Sequence, residues 1–208
     1  MKKLIKLSLI IITGLCLISY LTNIQTPQAK AATDTVTLDT SIGTYLSFSI
    51  SAGKSLSLGA LTPGTPVTGA NGSVATVTTN AANGYTIGLS DSNTTTNSAL
   101  RHTDTTTYIA DYAGTIAIPT TWTGTGLGVC LYVADTSKNV KWGTGTTYND
   151  ALNKYAGITQ NATVAHTVTG FRLTADTSSW GWKLDTPNDQ KTGSYSGNVT
   201  FTATAVLS

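Results

Sequence analysis

The segment Val199-Thr-Phe201-Thr-Ala203-Thr-Ala205 alternates apolar and threonine side chains without a break. Successive side chains of a strand point to opposite faces, so this period puts Val, Phe and Ala on a core face and the threonines in solvent. Threonine is β-branched, so even the wet face favours an extended backbone. The same period runs through Leu46-Ser-Phe48-Ser-Ile50 and Tyr85-Thr-Ile87-Gly-Leu89-Ser90. Composition points the same way. Threonine makes up about a fifth of the 208 residues, glutamate is absent, and only 11% of the chain is charged, against about 25% in an average soluble domain. These proportions argue against a helical bundle or a large α/β enzyme. A hydrophobic content of 40% with a net charge of +2 supplies a core and argues against disorder. The same small charge, without a basic stripe, argues against nucleic acid as a partner.

Shorter strands are expected at residues 36–38, 56–58, 74–79, 116–118, 129–133 and 164–173. In the last of these Val164, His166 and Val168 share one phase and Phe171 and Leu173 the other, which predicts a β-bulge at Gly170. Asn71-Gly72 and Asn83-Gly84 are type I′ turn signals, Pro63-Gly64 and Pro66 mark a loop, and residues 91–98 form a polar tip. One short helix is predicted over 149–157, capped by Asp150 and stopped by Gly157. About eight to ten strands with one short helix predict an all-β fold, an antiparallel Ig-like β-sandwich. Residues 32–208 are expected to form it as a single domain.

The first residues read as an address. Met1-Lys-Lys-Leu-Ile-Lys6 is positive, residues 7–21 are an apolar run, and Ala29-Lys30-Ala31 has the small-x-small form that signal peptidase cuts. A signal peptide over 1–31 is therefore expected, with Ala32 as the mature N-terminus. The run is shorter than the roughly 20 residues of a permanent span; an uncleaved N-terminus is the alternative and the one route to a membrane. Leucine directly before Cys16 does not suit a lipoprotein signal. Cleavage removes Lys2, Lys3, Lys6 and Lys30, so +2 becomes −2, and it leaves Cys130 alone without an intrachain disulfide partner. Within Val129-Cys-Leu-Tyr-Val133, that cysteine reads as a buried small hydrophobe. The expected localisation is secreted, at the cell surface or cell wall of a bacterium.

Catalytic equipment is sparse. His166 alternates with valines and reads as a structural histidine, whereas His102, beside Arg101 and Asp104, lacks a Gly-x-Ser-x-Gly elbow to work with. The ten aspartates are scattered over turns and ends, with no evident pair for two-carboxylate chemistry. Asp91-Ser-Asn93 and Asp185-Thr-Pro-Asn188-Asp189 offer oxygens that suit calcium, but turns favour the same residues. Thr123-Gly-Thr-Gly-Leu-Gly128 lies between strand-like runs and reads as a flexible loop, not a phosphate cradle. No catalytic residue, metal site or cofactor is expected. Tryptophan is the candidate for recognition: Trp122, Trp142, Trp180 and Trp182 lie in polar or glycine-rich sequence. Trp180 and Trp182 share one face of a strand, where exposed rings could stack on a sugar; the alternative is that they fill the core.

Ser55-Leu-Ser-Leu-Gly-Ala-Leu-Thr-Pro-Gly-Thr-Pro66, Ala75-Thr-Val-Thr-Thr-Asn-Ala-Ala-Asn-Gly-Tyr85 and Gly193-Ser-Tyr195-Ser-Gly-Asn-Val-Thr-Phe201 resemble Thr-rich secreted surface proteins of bacteria. Together with Trp182-Lys-Leu184 and the downstream Pro187, they are similar to the WxL-like β-sandwich group. That resemblance implies a WxL-like sandwich associated with peptidoglycan; the chain carries one clear Trp-x-Leu copy, where WxL chains carry two.

The expected function is a secreted, non-enzymatic cell-surface protein with a structural or adhesive role. One alternative is a glycan-binding module for cell-wall or other polysaccharide, with Trp180 and Trp182 as the ligand-binding residues. Another is a fibre subunit in which residues 199–205, or the segment from Thr33 to Leu38, complete a neighbour's sheet. The partners expected are a cell-wall glycan, another surface protein, or a second copy of the chain.

Overall fold

The computed structural model describes residues 35–69, 72–92, 98–136 and 138–207. The expected signal peptide, its cleavage site, Asn71 and Asn93 lie outside the described residues. The chain divides into two units, Met1–Ser41 and Ile42–Ser208. In the first, residues 35–41 carry no regular secondary structure, so the strand expected at 36–38 does not form. The second holds the β structure.

In chain order the strands are Leu46–Ala52 (β1), Val67–Thr68 (β2), Ser73–Thr79 (β3), Tyr85–Asp91 (β4), Ser98–His102 (β5), Tyr108–Ala110 (β6) and Thr120–Thr121 (β7). They continue with Gly126–Ala134 (β8), Lys154–Tyr155 (β9), Thr163–Val168 (β10), Arg172–Asp185 (β11), Tyr195–Ser196 (β12) and Val199–Ala205 (β13). Strand residues make up 47% of the described residues and every strand pair among them is antiparallel, as the threonine alternation predicts. No helix among the described residues is long and apolar enough to cross a membrane.

The larger sheet is built on β11. One edge of this strand pairs with β3 and then β2, the other with β8, and β1 pairs with the far side of β3. A smaller sheet packed against it has the order β10-β4-β13, and β13 follows β4 in unbroken register from Val199↔Asp91 to Ala205↔Tyr85; β12-β5-β6 form another three-stranded sheet and β7-β9 a two-stranded one. Trp180 of β11 links the two sheets: its ring meets Phe201 of β13 edge-on at 5.6 Å and Trp142 at 5.9 Å. Around it Val77, Tyr85, Ile87, Leu89, Val129, Leu131 and Val168 are fully buried. Each such aliphatic or aromatic side chain contributes about 1.5–3 kcal/mol by leaving water.

Several local expectations change. Residues 149–157 are not helical: Asp150 accepts the Leu152 N–H at 2.9 Å and the Thr146 N–H at 3.2 Å, closing successive turns before β9. The capping chemistry is present, but the chain enters a strand instead of adding helical turns. Among the described residues the helix that does form is a single 3-10 turn, Val140–Trp142, which places Trp142 in the core with its Nε1 donating to the Ala165 carbonyl at 3.2 Å. The bulge lies between Val164 and His166 instead of at Gly170, leaving Val164 exposed and His166 buried. Gly170, at φ 78°, turns the chain between β10 and β11. The Asn83-Gly84 signal does not make a hairpin. Gly84 donates to the Ala81 carbonyl at 3.1 Å, and the turn carries the chain from β3 in one sheet to β4 in the other. Gly84 has φ 84° and lies so close to the Val168 carbonyl that a Cβ would overlap it, so both conformation and space call for glycine. No strand forms at 56–58 or 116–118. Leu56 and Leu58 still pack against the core from an irregular segment.

Candidate functional site: a groove between the sheet edges

Strands β1 and β13 are the edges of the two sheets, and both turn their apolar phase toward the same opening. On the inner strand β4 the corresponding residues Tyr85, Ile87 and Leu89 are fully buried. On the edges Leu46, Phe48, Ile50, Val199, Phe201 and Ala203 are only half-buried. A sandwich closed along this side would cover them; here Phe48, Ile50, Val199 and Phe201 line a groove of about 530 Å³. Phe48 and Ile50 form one wall, Val199 and Phe201 the other, and Leu127 and Trp182 lie between them. Ser49, Lys54 and Asn198 add polar groups. The volume falls within the roughly 300–1,000 Å³ usual for binding sites.

Trp180 and Trp182 do share one face of β11, and that face looks into the core. Trp180 is fully buried, its Nε1 donating to Ser178 Oγ at 3.1 Å, so its ring has no free face to stack on a sugar. Trp182 is 6% exposed and its Nε1 is committed to Ser73 Oγ at 3.0 Å. It meets Phe201 edge-on at 6.4 Å and contributes to the groove lining as a packed residue. The stacking platform expected of this pair is therefore not formed; only Trp182 reaches the groove. Trp122 is the most accessible of the four tryptophans, half-buried elsewhere against Tyr112 at 4.4 Å, with Lys183 Nζ 5.3 Å above its ring. The residues that the sequence reading missed as groove lining are Phe48, Ile50, Val199 and Phe201. Their alternation was visible, but nothing local says that these two strands are edges.

Lys54 is the titratable side chain in the groove lining; neither histidine lines it. His102 accepts the Asp104 backbone N–H at Nδ1 (3.0 Å), while its Nε2 is packed against Gly193 without a hydrogen-bond partner. Asp104 organises the β5–β6 turn: it accepts the Thr106 and Thr107 N–H groups and the Lys191 ammonium at 2.7 Å, which hold its carboxyl well below the usual range. This is turn chemistry, with no nucleophile facing the imidazole. His166 is buried edge-on to Tyr85 at 6.3 Å, and burial lowers its pKa. Cys130 is fully buried, and burial pushes its thiol up to about 12, which keeps it an inert core side chain. Asp185 Oδ1 accepts the Gly64 and Thr186 N–H groups, a turn role. No three of His, Cys, Asp or Glu converge among the described residues.

One carboxylate stands out. Asp111 is half-buried, neither oxygen has a close hydrogen-bond partner, and its carboxyl is pushed up to about 7. Burial is the larger cause, and the charge of Asp91 adds to it; the Ile158 backbone N–H offsets only part. The structure thus brings together two aspartates that are 20 positions apart and that the sequence does not pair.

No family model, curated protein or solved structure matches the chain.

Proposed function

We propose that this chain is an exported, non-enzymatic protein of the bacterial cell surface with a structural or adhesive role. The observation that carries this reading is the groove, a slot along the sandwich edge walled by Phe48, Ile50, Val199 and Phe201 and lined by neither histidine. The serine face of β1 and the threonine face of β13, exposed and uncharged, suit a protein that meets solvent and other surface molecules. The N-terminal residues supply the export signal in this reading. Fractionation of cells producing the full chain is expected to find it in the envelope, where protease added to intact cells digests it. Protection from that protease together with recovery in the cytosol overturns the proposal.

A glycan-binding role is the second reading, favoured by the polar residues Lys54 and Asn198 beside the aromatic lining. It relies on the groove and no longer on stacking by Trp180. Insoluble cell walls are expected to pellet the protein saturably, and Lys54→Ala with Asn198→Ala to weaken binding by roughly tenfold through lost hydrogen bonds. Both side chains are exposed, so the core is left intact. Equal pelleting of wild type and double variant removes this groove from the glycan reading.

A further inference from the structure

The backbone of β13 divides its hydrogen-bonding groups between two edges. Ser92 N–H donates to the Asn198 carbonyl at 3.1 Å and Val206 N–H to the Gly84 carbonyl at 2.9 Å, just beyond the two ends of the β4–β13 ladder. Bonded positions of an antiparallel pair recur every second residue, so Thr200, Thr202 and Thr204 also turn their N–H and C=O groups to β4. Val199, Phe201, Ala203 and Ala205 turn theirs the other way. No strand pairs with that far edge among the described residues. Sheet edges are commonly blunted by charge, proline, a bulge or short length. Here β2 is two residues long, β1 is bulged between Ile50 and Ala52, and β10 between Val164 and His166. The strand Val199–Ala205 has none of these: it runs for seven residues in unbroken register, without proline or charge.

We infer that two copies of this chain pair antiparallel through β13, about a two-fold axis at Thr202, so that two β10-β4-β13 sheets become one. The strand is self-complementary in that register. Phe201 lies opposite the partner's Ala203 and Val199 opposite the partner's Ala205, a large side chain against a small one at each apolar pair. On the exposed face Thr200 meets the partner's Thr204, and Thr202 meets its own counterpart. The hydrogen-bonding phase agrees. The apolar pairs are the ones whose N–H and C=O groups point outward, so every outward group of both edges finds a partner. A slip of two residues sets Phe201 against Phe201, or Ala203 against Ala203, and leaves an end of each strand unpaired. A slip of one mismatches both the faces and the bonding phase. This match of side chains and phase selects a second copy over an unrelated extended segment, and a net charge of only +2 leaves little repulsion between copies. The same patch is used on both molecules, so the contact is isologous and closes at two. It goes beyond the envelope role proposed above and stands independently of it.

Sedimentation of the full chain over a range of concentrations tests this. Wild type is expected to show a monomer–dimer equilibrium. Ala203→Pro removes an outward N–H and spares the pairing with β4, so it should weaken the dimer roughly tenfold or more through the two hydrogen bonds lost. Thr202→Lys keeps the test open if the proline disturbs folding, because Thr202 is exposed. Its two copies set like charges opposite each other and should weaken the dimer by about threefold. Mixing Thr202→Lys with Thr202→Asp makes the opposed charges attract, and the mixture should associate more tightly than either variant alone. All these chains share one N-terminal sequence, so differences among them report β13. The register has its own readout. In a Cys16→Ser background, two copies of Thr202→Cys bring their Cα atoms to about 4.5 Å, within reach of a disulfide. Two copies of Thr200→Cys stand about 14 Å apart, and Cys130 is fully buried. Oxidation should link the first pair and not the second. A strict monomer at all concentrations, association indifferent to both Ala203→Pro and Thr202→Lys, or equal linking at 200 and 202 overturns the inference.

Discussion

Trp180→Ala is expected to lower the unfolding free energy by about 3–5 kcal/mol, in the range for deleting a large buried aromatic side chain. For a chain of this size that corresponds to a fall in Tm of roughly 10 °C. The indole is completely buried between Trp142 and Phe201, which it meets edge-on, and so joins the two sheets. Its removal opens a cavity at the one place where residues from β11, β13 and the 3-10 turn converge. It also leaves the Ser178 hydroxyl without the indole N–H that it accepts. Thermal unfolding by circular dichroism measures the effect directly. A variant that melts within 2–3 °C of wild type, roughly the shift for 1 kcal/mol, would contradict this core placement. It would also make Trp180 a candidate ligand contact again. The magnitude bears on any binding assay as well: loss of glycan binding on truncating Trp180 reports unfolding unless the melt is shown beside it.

The strands whose period alternates cleanly were legible because alternation is a local consequence of the pleat. Residues 199–205 form β13 with the same bounds, and 85–90 and 46–50 form most of β4 and β1. The features that were misplaced depend on partners distant in sequence. The length of β11 was hidden because Asp176, Thr177, Ser178 and Ser179 look like a loop. In the fold, Arg172 Nε donates to Asp176 Oδ2 at 3.2 Å and Trp180 donates to Ser178, so polar residues are accommodated in a buried strand. The Asp150 signal was genuine as local capping, but a turn and a helix begin with the same hydrogen bonds. The residues just after the cap decide between the two, and here Lys154 and Tyr155 are taken by pairing with β7. Gly84 was likewise correctly read as a turn residue; whether a turn joins two strands of one sheet or crosses between sheets is not written in a dipeptide.

The same division applies to the site. Sequence can say that Phe48 and Phe201 are inward-facing, because both sit in the apolar phase of an alternating strand. It cannot say that their strands are the outermost of their sheets, and that is what turns two core positions into the walls of a groove. The tryptophans misled for the complementary reason. Glycine and polar neighbours suggested exposure, yet Trp180 and Trp182 lie on the central strand of the larger sheet, where pairing on both edges leaves their face no outlet but the core.

The stability of wild type is expected to carry a pH-dependent penalty from Asp111, and Asp111→Asn is expected to remove it. Its carboxyl is raised from 3.8 to about 7 in the folded protein, by burial first and by Asp91 second. Below pH 4 the group is protonated in both states and contributes no difference. Between about pH 4 and 7 the folded state holds the proton and the unfolded state releases it, so stability falls as pH rises. Above about 7 the penalty is complete and constant. Because the carboxyl is only half-buried, solvent screening reduces the penalty to about 1–2 kcal/mol, or roughly 2–6 °C in Tm. Burial depresses His166, whose linkage has the opposite sign: stability gained from keeping it neutral is present above its ordinary value of 6.5 and lost as pH falls toward its lowered folded value. The two overlap, so the raw pH profile of the wild type is a sum. The difference between wild type and Asp111→Asn cancels the histidine contribution. That difference should be smallest near pH 4, grow in favour of the variant up to pH 7, and level off at pH 8. A Tm difference that does not change between pH 4 and pH 8 would mean that Asp111 titrates normally and that its environment is wetter than the fold indicates.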